Sequence, residues 1–160
     1  MPPALPRVVF DCNVFLQALV NPQGAAGECK KLLDRGEIEL FISALVLAEI
    51  AEVLVRPRVR QLAPALTLEK IEAFLEDIRL KAICLQNIPE EYRFERDPKD
   101  EPYLNLAIAA GASYLVSKDH DLLDLASRQT VEAQTFRTRY PLLTILDAPA
   151  FLKQMRERIE

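Results

Sequence analysis

The stretch Arg7-Val8-Val9-Phe10-Asp11-Cys12-Asn13-Val14-Phe15 is an apolar run that ends abruptly in a carboxylate and an amide. Buried parallel strands read as near-continuous hydrophobic runs, and open α/β sheets place their polar sites beyond the carboxyl ends of their strands. Residues 7 to 11 therefore read as a strand that delivers Asp11 to its tip, and Val14 to Val20 as the start of a helix. The question for the rest of the chain is which other acids arrive at the same edge.

The periodicity downstream alternates strand and helix. Asn21-Pro22-Gln23-Gly24 breaks the first helix, Ala26, Cys29, Leu32 and Leu33 recur at helical spacing, and Gly36 marks a stop. Residues 38 to 42 read as a second strand. Ser43 stands as N-cap to an amphipathic helix that runs to about Arg56, and Pro57 to Pro64 read as a loop. Thr67 opens a helix that passes into a third strand over residues 81 to 85. Asp97-Pro98-Lys99-Asp100-Glu101-Pro102 introduces the helix Tyr103 to Ala110, which Gly111 closes. A fourth strand spans residues 112 to 116, and a short helix starts near Leu122. Residues 127 to 141 are polar, with room for a brief strand near Val131. A final strand covers residues 142 to 146, and Asp147 caps a helix from Ala148 to Ile159. Strands alternating with helices predict a parallel sheet of about five strands flanked by helices in one domain over residues 1–160.

The 160 residues are 50% hydrophobic and 28% charged, inside the globular range. No apolar run approaches the ~18 residues of a membrane span, and Met1 to Pro6 lacks the features of a signal peptide, so a soluble, cytoplasmic protein is expected. Three cysteines at wide spacings, Cys12, Cys29 and Cys84, read as buried thiols in a reducing compartment. A net charge of −4 argues against holding nucleic acid by bulk electrostatics, but leaves open a nucleic-acid enzyme with an acidic, metal-filled site.

Asp11 after the first strand, Asp100 at a helix entrance and Asp119 after the fourth strand share the carboxyl-edge layer, and Glu49 can join them from the helix after the second strand. Carboxylates so crowded repel unless hard divalent cations lie between them, and an all-oxygen set favours Mg²⁺ or Mn²⁺ over zinc. Phosphodiester hydrolysis by metal-activated water is the natural chemistry of such a cup. Each acid also has a plain reading. Asp11, Asp100 and Asp121 are good helix caps, Asp97 competes with Asp100, Glu49 could pair with a basic residue, and His120 has exposed neighbours.

The blocks VVFDCNVF, SALVLAEIAEVL and RDPKDEPYLNLAIAAGASYLVSKDHDLL, over about residues 7 to 152, resemble the PIN domain, in its subgroup of toxin components of toxin–antitoxin systems. The resemblance implies a Rossmannoid α/β/α sandwich and a Mg²⁺- or Mn²⁺-dependent ribonuclease. Asp11, Glu49, Asp100 and Asp119 stand at the family's acidic positions, where they would be catalytic residues and metal ligands. Asn13 and Ser117 stand at supporting positions, with Asp121 as either a secondary site residue or a cap. It further implies a homodimer and a small antitoxin as partner. The departures are Lys118, where small or polar residues are common, and a longer link over residues 127 to 141. Lys118, Arg128, Arg137 and Arg139 are candidates for RNA contact. The alternative is a PIN-like module that binds RNA or protein with little or no turnover.

Overall fold

Five strands pair in one wholly parallel sheet in the order β3-β2-β1-β4-β5: β1 (Arg7–Phe10), β2 (Glu39–Ser43), β3 (Ile83–Leu85), β4 (Tyr114–Val116) and β5 (Thr144–Leu146). The structure, a computed structural model, describes residues 4–159. The reading of Met1 to Pro6 thus falls partly outside the described residues. Nine helices flank the sheet among the described residues: α1 (Cys12–Val20), α2 (Ala25–Asp34), α3 (Ala44–Leu54), α4 (Pro57–Leu62), α5 (Leu68–Lys81), α6 (Glu101–Ala110), α7 (His120–Ser127), α8 (Val131–Arg139) and α9 (Ala148–Ile159). A single 3-10 turn, Pro98–Asp100, leads into α6. The α/β architecture expected from the alternation of patterns is the one observed.

β1 is central because its run is apolar without interruption. Val8, Val9 and Phe10 are buried, in register with Tyr114, Leu115 and Val116 of β4, while Arg7 and Val8 face Glu39 and Leu40 of β2. Burying each such side chain is worth roughly 1.5–3 kcal/mol, so β1 anchors the core. Phe10 meets Phe15 of α1 and Phe151 of α9 edge-on, with ring centroids 5.7 and 6.3 Å apart. Hydroxyl and carboxylate caps start the helices at defined residues: Ser43 accepts from Val46 N, Thr67 from Lys70 N and Asp147 from Ala150 N. Gly111, at φ +60°, ends α6 in the left-handed conformation that releases the chain into β4.

Three local expectations are corrected. Residues 57 to 62 form helix α4 rather than a loop, because Pro57 sits in the first turn, where its missing N–H costs nothing, and Val59 is buried. The segment near Val131 is helix α8, not a strand. Thr130 caps it, Ala133 and Phe136 form its short buried face, and Val131 itself is 81% exposed. Of the thiols only Cys29 is buried, whereas Cys12 is half-buried and Cys84 is exposed on the three-residue edge strand β3.

Between β1 and β4 the chain order reverses, since β1 leads to β2 on one side while β4 leads to β5 on the other. The carboxyl ends of these two strands flank the crevice such sheets use for ligands.

The link between α1 and α2 folds back so tightly that a Cβ on Gly27 would run into the Pro22 carbonyl group. Ala normally stabilises a helix interior over Gly by about 1 kcal/mol. Here the sign reverses, because the obstructing atoms are backbone, and overpacking of this kind costs about 1–3 kcal/mol. Gly27→Ala is expected to lower the midpoint of thermal unfolding; a midpoint equal to or above that of the parent would contradict the close approach.

Candidate functional site

At the end of β1 the backbone turns straight into α1, and Asp11 is the residue at the joint. Its N–H donates to the Val116 carbonyl at the end of β4 (3.1 Å), its Oδ1 accepts from Val14 N (3.2 Å), and its Oδ2 accepts from the Ser117 hydroxyl. The carboxylate is therefore a helix cap and a buried site group at once, 3% exposed. Ser117 is fully buried; its N–H donates to the Leu146 carbonyl of β5, and its Oγ also accepts from Asp119 N at 2.9 Å. One hydroxyl thus joins the tip of β1 to the turn after β4. Burial and the nearby Asp119 push the Asp11 carboxyl up to about 6, against the opposing pull of its hydrogen bonds.

Asp97, Asp100 and Asp119 form the densest acidic group among the described residues, with one carboxylate oxygen from each lying within 4.8 Å of the others. Asp97 caps the 3-10 turn by accepting from Lys99 N, and Asp119 caps α7 by accepting from Asp121 N (2.8 Å). Asp100 is buried, and its Oδ2 has no hydrogen-bond partner. Burial first, then repulsion by Asp119 and Asp97, drives its carboxyl up to about 8. A buried, unpartnered carboxylate oxygen inside an all-oxygen donor set fits a hard divalent cation.

Glu49 lies outside that trio. It is half-buried on α3 and accepts a hydrogen bond from the Tyr103 hydroxyl (2.9 Å), two turns of chain beyond Asp97 on α6. Burial raises the Tyr103 phenol, with Cys12 and Glu49 adding to the effect, so it remains a donor to Glu49. Burial, then Glu49, pushes the Cys12 thiol up to about 12. The thiol therefore stays protonated beside the acids.

The segment before Asp97 has no regular structure, yet side chains of α6 pin it. Asn105 accepts from Tyr92 N and donates to the Tyr92 carbonyl, and Glu101 accepts from Phe94 N. Arg96 then reaches α7, with Nε 2.6 Å from Asp121 and an Nη 2.6 Å from Asp124. The Asp121 carboxylate, expected as cap or secondary site residue, is engaged in this clasp. Sequence reading weighed Asp97 only as a rival to Asp100 and did not single out Arg96. The signal was the adjacency of Arg96 and Asp97 in a loop that must approach α7.

The basic candidates separate. Lys118 is exposed and forms no ion pair among the described residues. Arg137 donates to the Leu125 and Arg128 carbonyls, tying α8 to the end of α7. Arg128 faces Asp124, and Arg139 pairs with Glu91 while its guanidinium lies 5.2 Å from the Tyr140 ring centroid. Asn13, in the first turn of α1, is half-buried and borders a cleft shared with Ser117 and Lys118. His120 is exposed at the start of α7.

Comparison with known proteins relates the sequence to a family and to a relative. The PIN domain profile matches residues 7–121, which hold every acid of the site. The uncharacterized protein MJ1680 of Methanocaldococcus jannaschii is 28% identical over 120 residues, covering 74% of each chain.

Two carboxyls raised above the usual value of about 4 mean that the metal-free folded protein holds protons which the unfolded chain has already released. Their contribution favours folding below that window and declines as pH rises through about 6 and about 8. In EDTA, the unfolding midpoint is expected to fall between about pH 5 and about pH 9, and Asp100→Asn is expected to flatten the decline and raise the midpoint at the alkaline end. A variant with the parent's slope would show that Asp100 is not the strained carboxyl.

Proposed function

The chain belongs to the PIN domain family, and from that premise we propose that it is a metal-dependent endoribonuclease acting on single-stranded RNA. Family membership suggests nuclease activity, and one observation carries the metal-dependent part: the unpartnered, buried Asp100 Oδ2 within the Asp97–Asp100–Asp119 group, beside Asp11 at the reversal of strand order. Asp11, Glu49, Asp100 and Asp119 are proposed as direct or water-mediated ligands of Mg²⁺ or Mn²⁺, with Asp97 as an added member. A bound divalent cation supplies water activation and neutralises charge on the phosphodiester.

The chain's own groups prepare the site. Ser117 donates to Asp11 and thereby fixes one oxygen while the Val14 N–H holds the other. Asp121 N holds Asp119, so the two ligands are oriented by backbone N–H groups in the first turns of α1 and α7 and by the buried Ser117 hydroxyl. Tyr103 holds Glu49 at the rim, where one carboxylate oxygen is bonded and the other remains for the site. Asn13 is proposed to orient substrate or ligand from α1. Hydrolysis leaves one phosphate monoester and one free hydroxyl.

The finer reading is that this nuclease is the cytoplasmic toxin of a toxin–antitoxin pair, a homodimer silenced by a small antitoxin. Its support is the resemblance of the three sequence blocks alone. Induced expression arresting growth, with Asp11→Asn relieving the arrest, is the expected result; growth unaffected by active enzyme would remove it.

Purified protein is expected to cleave single-stranded RNA with Mn²⁺ or Mg²⁺ and not with EDTA. Asp11→Asn is expected to abolish cleavage. Mn²⁺ should also raise the unfolding midpoint, since a ligand at a hundred-fold excess over its Kd adds ~2.7 kcal/mol to stability. Cleavage unchanged by Asp11→Asn, or a midpoint indifferent to Mn²⁺, would overturn the proposal.

A further inference from the structure

Two clefts adjoin the acidic cup, and they differ in charge. One, of about 370 Å³, lies between the start of α3 and the segment after β3; its lining includes Glu90 and Glu101 and no lysine or arginine. A polyanion beside the cup would meet only further negative charge there. The other, of about 300 Å³, lies between α1, the start of α2 and the start of α9, and carries Lys118. Both volumes fall near the lower end of ligand-binding clefts, ~300–1,000 Å³.

The second cleft has a built lining. Asn13 and Gln17, four residues apart, lie on one face of α1, and Asn21, the residue that caps its C-terminus, brings a third amide to the same cleft. None of these amide side chains makes a hydrogen bond among the described residues, although each can both donate and accept. Gly24 leaves them room, since a Cβ there would come within 2.8 Å of the Asn21 Nδ2. Val14, Ala26 and Pro149 supply apolar surface in the same lining. Asp147 is the one acid in the lining, and its Oδ1 is engaged by Ala150 N at the start of α9.

The cleft is continuous with the reaction site. Asn13 is two residues from Asp11, and Ser117, which also lines the cleft, donates to the Asp11 carboxylate. An occupant here lies next to the scissile position. We propose that this cleft is a nucleotide subsite, in which Gln17 and Asn21 read the edge of an unpaired base of single-stranded RNA and Lys118 takes the adjoining phosphate. The inference rests on the ribonuclease reading, which it deepens by assigning substrate preference to α1. Unpaired bases are recognised by this combination of edge hydrogen bonds, a surface for the base face and a cation on the backbone. It also sets the direction of the strand, which leaves the cup past Lys118 and avoids the Glu90 and Glu101 side.

The test measures binding of fluorescent single-stranded RNA oligonucleotides, one series for each base, to the Asp11→Asn protein in Mg²⁺, and maps cleavage products from the parent in Mn²⁺. Gln17→Ala and Asn21→Ala are expected to weaken binding ~3–10-fold each and to change the order of base preference, with the salt dependence unaltered. Lys118→Gln is expected to weaken binding for every base and to lower the slope of log affinity against log salt by ~0.7, as loss of one phosphate contact requires, and Lys118→Arg to restore it. Asn21 is exposed, so its variant tests the idea even where Gln17→Ala folds poorly. Cleavage by the parent with identical products and binding in the Gln17 and Asn21 variants would overturn the subsite and leave the nuclease standing. Amide-dependent binding without any cleavage would do the reverse, and no RNA binding by the Asp11→Asn protein would overturn the subsite outright.

Discussion

The hydrogen bond from Ser117 to Asp11 is the contact on which the rest of the site depends. It closes the gap between two neighbouring strands whose connections depart in opposite directions, and both partners are buried. A buried carboxylate without such support would be driven to its neutral form, and Asp11 is already raised to about 6. Because the same hydroxyl accepts from Asp119 N, it fixes the spacing between the acid after β1 and the acid after β4. The sheet thus places two carboxylates where their mutual repulsion opposes folding. This is the compromise expected where a site is arranged for a ligand rather than for stability.

The remaining repulsion is contained by contacts outside the cup. Arg96 immediately precedes Asp97, while Asp121 and Asp124 follow closely behind Asp119, so its guanidinium draws together two segments whose other acids repel. At 45% exposure the pair interactions are screened, and the role of Arg96 is better described as geometric than as a large source of stability. Lys30, Lys81, Asp34 and Asp77 form a comparable network between α2 and α5, far along the chain from the cup. Ion pairing fastens elements in several places, Arg7 to Glu39 and Arg139 to Glu91 among them, but among the described residues only the Arg96 clasp bears directly on the acids.

Much of this was legible in the sequence for physical reasons. The run from Arg7 to Phe10 could only be a buried strand, and the caps at Ser43, Thr67 and Asp147 fixed helix starts because each offers an oxygen to free N–H groups. The gathering of Asp100 with Asp119 followed from parallel topology. What escaped depended on tertiary contact. Helix α8 has only Ala133 and Phe136 as buried residues, too short a pattern to outweigh the β-branched Val131. Cys84 is exposed because β3 is an edge strand, and composition does not reveal edges. Glu49 could have paired with a basic residue, and that its partner is instead the Tyr103 hydroxyl depends on how α3 meets α6.

The loop before Asp97 has a further consequence. Asn105 grips both backbone polar groups of Tyr92, and Glu101 holds Phe94 N, so a stretch without helix or strand is bonded from the side by α6. Phe94 is fully buried beneath it. Ordering a free residue costs about 1–2 kcal/mol of conformational entropy, and this loop has met that cost during folding, before any ligand arrives. The Asp97 side of the cup is therefore a rigid jaw. Any adjustment to a guest falls to the guest's own shape or to the exposed side chains around Lys118, and recognition approaches a fit between a fixed mould and a flexible strand.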